Sequence, residues 1–165
     1  MQIEINKSRN RQRTVSAKVV GETIQISAPQ NIPDEKLKEI IENLRSRIEK
    51  RTKKRDLTSD TNLQAIVQNL NEKYFEGEIE VQSIEYSTNQ DKIFGCCTYR
   101  EKRIRISHRL ATMPTWVRDY VIIHEMAHII EPNHSKSFWG LVNRYPLTER
   151  ARGYLIAKGA TEEEF

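Results

Sequence analysis

Cysteine is scarce in this 165-residue chain: there are two, Cys96 and Cys97, and they are adjacent. Neighbouring thiols make a poor disulfide framework, so a reducing compartment, the cytoplasm, is expected. Long apolar runs are missing as well. None approaches the roughly 18 residues of a membrane span, and a membrane partner is therefore excluded as an expectation. The opening "MQIEINKSRNRQRT" carries charge but no apolar core of a secretory signal. Glycine is sparse, and no Walker-type phosphate loop is present, so any nucleotide site would be of another kind. Only four histidines occur, yet three of them fall within "HEMAHIIEPNH", residues 124 to 134.

Charged residues make up 30% and apolar residues 37%, the balance of a globular chain with a sizeable core. The charge is uneven. Residues 1 to 57 carry 14 Lys+Arg against 8 Asp+Glu, concentrated in "KSRNRQR" and "RSRIEKRTKKR". Such a segment is either a solvated surface or a face for nucleic acid or another polyanion.

Hydrophobic periodicity predicts a mixed architecture. "IEINKS" and "RTVSAKVVGETIQISAP" alternate like strands, the latter folding into a hairpin at "GE". "PDEKLKEIIENLRSRIEKRTKKR" reads as a helix with acids in its first turn, a basic last turn and a stripe of Leu37, Ile40, Ile41, Leu44 and Ile48. "SDTNLQAIVQNLNEKYF" is a second helix with Ser59 as its expected cap. "EIEVQSIEYS" and "KRIRIS" read as strands, with "IFGCCTY" expected to pair between them. "MPTWVRDYVIIHEMAHIIEP" is a third helix, opened by Pro114 and stopped by Pro132. "SKSFWGLVNRY" and "TERARGYLIAKG" close the chain as two more. The "TSD" at residues 58 to 60 suggests an N-terminal hairpin-plus-helix part, 1–57, and a second part, 58–165, within one compact whole.

Residues four apart share a helix face, so His124 and His128 aim two imidazoles at one point. Neutral imidazole nitrogens are zinc ligands. Glu125 lies about 100° round the helix, where a carboxylate reaches a water on the metal without ligating it. The helix is apolar nearly all round from Val121 to Ile130, hence buried, and burying these three polar groups without partners would be costly. A catalytic zinc needs a third ligand. His134, returned by the turn after Pro132, is the first candidate; Glu131, three residues after His128, is the second, and a distant ligand is a third option. His108 reads as a strand-end residue. The histidine spacing matches the metzincins, but Glu131 stands at their glycine and no methionine follows residue 126.

From Phe94 onward the chain also resembles a known family. "FGCC", "IRIS", "MPTWVRDYVIIHEMAH", "NHSKSFW" and "PLTERARGYL" follow the order of the W-G-S-C, I-x-L-N, H-E-L-A-H, N-H-S, F-W and P…R…L elements of the YgjP-like family, which is related to SprT-like and minimal gluzincin peptidase domains. "RTVSAKV" and "ISAP" are similar to its N-terminal hairpin. Phe94, Cys96 and Ser107 depart from the family's tryptophan, serine and asparagine. The resemblance implies an α+β, zincin-like fold, with a small antiparallel or mixed sheet packed against the H-E-x-x-H helix, an N-terminal β-hairpin and further helices. It implies His124, His128 and His134 as metal ligands and Glu125 as the catalytic carboxylate.

The expectation is a zinc-dependent metallohydrolase, foremost a metallopeptidase acting through a glutamate-activated water on the zinc. Alternatives are a metal-dependent nucleotide phosphoanhydride hydrolase and a DNA-associated, SprT-like protease module. Nickel, cobalt or iron could occupy the same nitrogens. Asn133 and Ser135 are candidates for orienting His134, and Tyr120, Arg144 and Tyr145 for stabilising an oxyanion. Cys97 reads as a small buried thiol, Phe138 and Trp139 as packing under the metal loop. Gly95 is expected where backbone approaches the site closely.

Overall fold

The computed structural model describes residues 2–11, 13–21, 23–60, 62–90 and 92–160. The chain divides into two compact units, Met1–Thr52 and Lys53–Phe165.

In the N-terminal unit, β1 (Gln2–Ser8), β2 (Ser16–Val20) and β3 (Thr23–Pro29) form a sheet in the order β1-β3-β2. β2 and β3 are the expected hairpin, turned at Gly21, whose φ of 60° favours a residue without Cβ. β1 joins the other edge of β3 in parallel. Ile24, Ile26 and Ala28 on β3 are buried, which fits the middle strand. Helix α1 follows, Asp34–Asp60. Leu37 is buried, and Ile40, Ile41, Leu44 and Ile48 are half-buried, so the apolar stripe is the sheltered one.

Two boundaries differ from expectation. Helix α1 does not stop at its basic stretch: nothing in "DLTSD" breaks a helix, and the last turn carries no basic residue. Ser59 therefore lies inside α1. Asn62 caps α2 (Leu63–Phe75) instead, its side chain accepting the Ala65 N–H at 3.1 Å.

The second unit is built around helix α3 (Thr115–Ile130). Its Val117, Val121, Ile122, Ile123, Met126 and Ala127 have no exposed surface. Each fully buried aliphatic side chain of this size stabilises the fold by about 2 kcal/mol. Against α3 pack α2, α4 (Lys136–Val142), α5 (Thr148–Ala157) and a three-stranded sheet. That sheet comprises β4 (Ser83–Ser87), β5 (Gly95–Thr98) and β6 (Arg103–Ser107) in the order β4-β6-β5.

The segment expected between its neighbours, "IFGCCTY", is thus at an edge, and "RIRIS" is in the middle. The burial explains the exchange. Ile104 and Ile106 of β6 are fully buried, as a central strand requires, whereas every residue of β5 keeps some exposure. β6 runs parallel to β4 and antiparallel to β5. β4 is also shorter than the alternation suggests. Asn71 captures Ile79 from both sides, donating to its carbonyl at 2.7 Å and accepting its N–H at 3.1 Å. Ile79 therefore has no backbone groups left for a ladder. The fold class is α+β with small mixed sheets, and no described helix is long and apolar enough to cross a membrane.

Candidate metal centre and its cleft

Helix α3 carries His124 and His128 one turn apart, and it ends at Ile130, two residues before Pro132. The chain then reverses. Ser135 starts α4 by accepting the Phe138 N–H on its hydroxyl at 3.3 Å, and its own N–H donates to Asn133 at 2.7 Å. This turn brings His134 back over the helix. Its Nε2 lies 3.2 Å from Nε2 of His124 and 3.1 Å from Nε2 of His128. One ring nitrogen carries at most one proton or one lone pair, so it cannot hydrogen-bond both neighbours at once. The chemistry of three converging imidazole nitrogens suits a cation. Nitrogens at 2.0–2.1 Å from a tetrahedral zinc lie roughly 3.3 Å apart, close to the two separations from His134, and all three ligand atoms lie within 4.8 Å of one another.

The surroundings keep these rings neutral. Burial pushes the His124 pKa well below the ordinary imidazole value, and proximity to His128 and His134 adds to it. Burial, then His134, lowers that of His128, and burial lowers that of His134. The carbonyl of Glu131 lies 3.3 Å from His128 Nδ1. Donation to that carbonyl leaves the Nε2 lone pair facing the cluster. Phe138, fully buried, backs all three rings, with centroid separations of 4.9, 4.5 and 4.7 Å from His124, His128 and His134. Trp139 lies 5.7 Å from His134, and the Arg152 guanidinium stacks 4.9 Å over the indole.

Glu125 faces the sheet. It is 5% exposed, and burial pushes its carboxyl up to about 8. It fits because residue 95 has no side chain: a Cβ there would overlap Oε1 and stand 2.8 Å from Cδ. Beside it, burial first and then Glu125 push the Cys97 thiol up to about 12, so this cysteine stays a protonated wall group. The open side is a cleft of about 380 Å³. Ile93, Phe94, Gly95, Cys96, Cys97 and Tyr99 line one wall; the three histidines, Glu125 and Pro132 line the other.

The other candidates distribute differently. Ser135 caps α4 rather than holding the His134 ring, and Asn133 contributes its backbone carbonyl to the same turn. Tyr120 is fully buried one turn before His124 on α3, its ring 6.1 Å away, outside the cleft lining. Arg144 donates to the Tyr74 carbonyl at 3.1 Å, and the Tyr145 hydroxyl donates to the Trp116 carbonyl at 3.1 Å. These bonds direct both away from the cleft. Glu131 serves through its backbone, and the grouped ligand atoms among the described residues are those of the three histidines. His108 is half-buried behind β6, with Nδ1 3.3 Å from the Ser87 carbonyl. Of the family departures, Phe94 is buried under the Arg109 guanidinium at 4.2 Å, and the Ser107 hydroxyl donates to the Gln90 carbonyl at 3.0 Å. Ile93 and Tyr99 also line the cleft; no pattern in the sequence marks them, and only the structure shows both substantially exposed despite their apolar bulk.

An H-E-x-x-H helix under a small sheet, with three imidazoles gathered at its end, defines the zincin-like class of metallopeptidase fold. The chain belongs to the YgjP-like family: the model of its metallopeptidase domain matches residues 61–156. Among solved structures, the metallopeptidase zymogen of Pyrococcus abyssi abylysin is similar, with a TM-score of 0.51 at 15% identity, covering 58% of this chain and 92% of that one. At that identity the likeness speaks for the fold. No curated protein sequence matches significantly.

Proposed function

We propose that this protein is a zinc-dependent metallopeptidase in which His124, His128 and His134 hold the ion and Glu125 is the general base. The observation that carries this reading is the convergence of three neutral imidazoles beside a buried carboxyl at an open cleft. A zinc ion held by His124, His128 and His134 would supply Lewis-acid chemistry, acidifying water and polarising the scissile carbonyl. Glu125 Oε1 takes the proton of the attacking water and returns it to the departing amine nitrogen. Gly95 keeps the space that this carboxyl occupies.

The substrate follows from the walls. β5 pairs with β6 on one side, and its other edge has no strand partner among the described residues. An extended peptide can add there by main-chain hydrogen bonds. No lysine or arginine lines the cleft, which disfavours a nucleotide phosphoanhydride as its substrate. The test is elemental analysis followed by an unbiased peptide screen against Glu125→Gln. The variant should keep its metal and lose about 10²–10⁴-fold in turnover. Undiminished turnover by Glu125→Gln, or a protein that takes up no divalent metal, would overturn the reading.

A further inference from the structure

The N-terminal unit has its own cavity, of about 780 Å³. Arg9, Arg11, Arg13 and Lys36 line it, and no carboxylate does. Two of the guanidiniums are held in place: Arg9 Nε donates to Gln30 at 3.0 Å, and Arg11 Nη1 donates to Ser16 at 2.9 Å. Of the acids next in sequence to the lining, Asp34 is engaged by Lys7 at 3.2 Å, and Glu35 and Glu39 are exposed. The positive end of the α1 dipole begins at the same place, beside Pro33. Four like charges around one concavity repel one another unless an anion lies between them.

The arrangement selects the anion. A single negative charge would leave most of the cations uncompensated, so the ligand carries several. Guanidinium forks match phosphate oxygens bidentately. No aromatic ring lines the cavity, so bases have no stacking platform and recognition rests on the phosphates. We propose that this cavity binds a run of phosphate groups, supplied either by a free oligophosphate or by the backbone of single-stranded nucleic acid. The inference does not rest on the metal site.

The test uses the full chain, with tripolyphosphate and a fluorescent oligothymidylate as probes. At least one should bind at about 100 mM salt, and for the oligonucleotide log K should fall with log salt at a slope of about −3, from four contacts of about 0.7 each. Arg9→Gln, Arg11→Gln and Arg13→Gln combined should weaken binding about 100-fold. Lys38→Gln, Arg47→Gln and Lys50→Gln combined, which remove the same charge outside the lining, should weaken it less than about 3-fold. Arg13→Glu alone, at an exposed side chain where folding is not at stake, should weaken it about 10-fold. Tripolyphosphate binding that the oligonucleotide cannot displace identifies the free ligand; the reverse identifies nucleic acid. Equal losses in the two triple variants, an unchanged Arg13→Glu, or no binding of either probe would overturn the proposal.

Discussion

Glu125 and Gly95 are complementary in volume: one carboxylate occupies the space the other residue leaves. Gly95→Ala must displace either β5 or the carboxylate, because its Cβ would overlap Oε1 and stand 2.8 Å from Cδ. The expected outcome is a loss of about 100-fold in kcat/KM, the cost of a misplaced catalytic group, with zinc stoichiometry unchanged by elemental analysis. Wild-type turnover in this variant would contradict the contact. Two tyrosines give a pH prediction. Burial, with Asp119 nearby, pushes the Tyr145 phenol up to about 12, and burial moves Tyr120 in the same direction. A folded pKa above the unfolded value of about 10 means that the associated stability is present below about pH 10 and is lost as pH rises through the folded pKa. In an ultraviolet titration, Tyr120 and Tyr145 should ionise late, together with alkaline unfolding. Ionisation of these two near pH 10 in the folded protein, read as the change lost in Tyr120→Phe and Tyr145→Phe, would rule this out.

At the scale of elements, α4 supports the site through Phe138, which backs all three histidine rings. Phe138→Ala should cost about 3–5 kcal/mol in denaturant unfolding and weaken zinc about 10-fold in chelator competition. Unaltered zinc affinity would make Phe138 a core residue and nothing more. Asn71→Ala, which orphans both backbone groups of Ile79, should cost about 1–3 kcal/mol in the same measurement. These elements also show what the sequence made legible. Helix α3 and its end just before Pro132 could be read, because the 3.6-residue period and a proline act locally. So could the approach of two histidines one turn apart, and the β2–β3 hairpin with its glycine turn. The order β4-β6-β5 could not, since strand pairing is decided by which isoleucines find cover far away in the chain. The truncation of β4 escaped for a similar reason: its cause is an asparagine side chain on another helix. Tyr120, Arg144 and Tyr145 have the right chemistry for an oxyanion, but only tertiary packing reveals that Arg144 and Tyr145 bond backbone carbonyls and that none of the three is among the cleft lining.

For the whole molecule, an ion bound by the folded state alone adds stability by mass action, about 4 kcal/mol at a free concentration 1,000 times Kd. Calorimetry should show the zinc-loaded protein melting higher than the chelated one, with the shift growing with free zinc. A melting temperature indifferent to zinc would argue against a site formed only on folding. The three imidazoles lie within eleven consecutive residues, whereas the wall that seats Glu125 comes from a strand far upstream. The ligands and the seat of the carboxylate thus come from different parts of the chain. Zinc content alone would therefore report the imidazoles and say nothing of how Glu125 is seated.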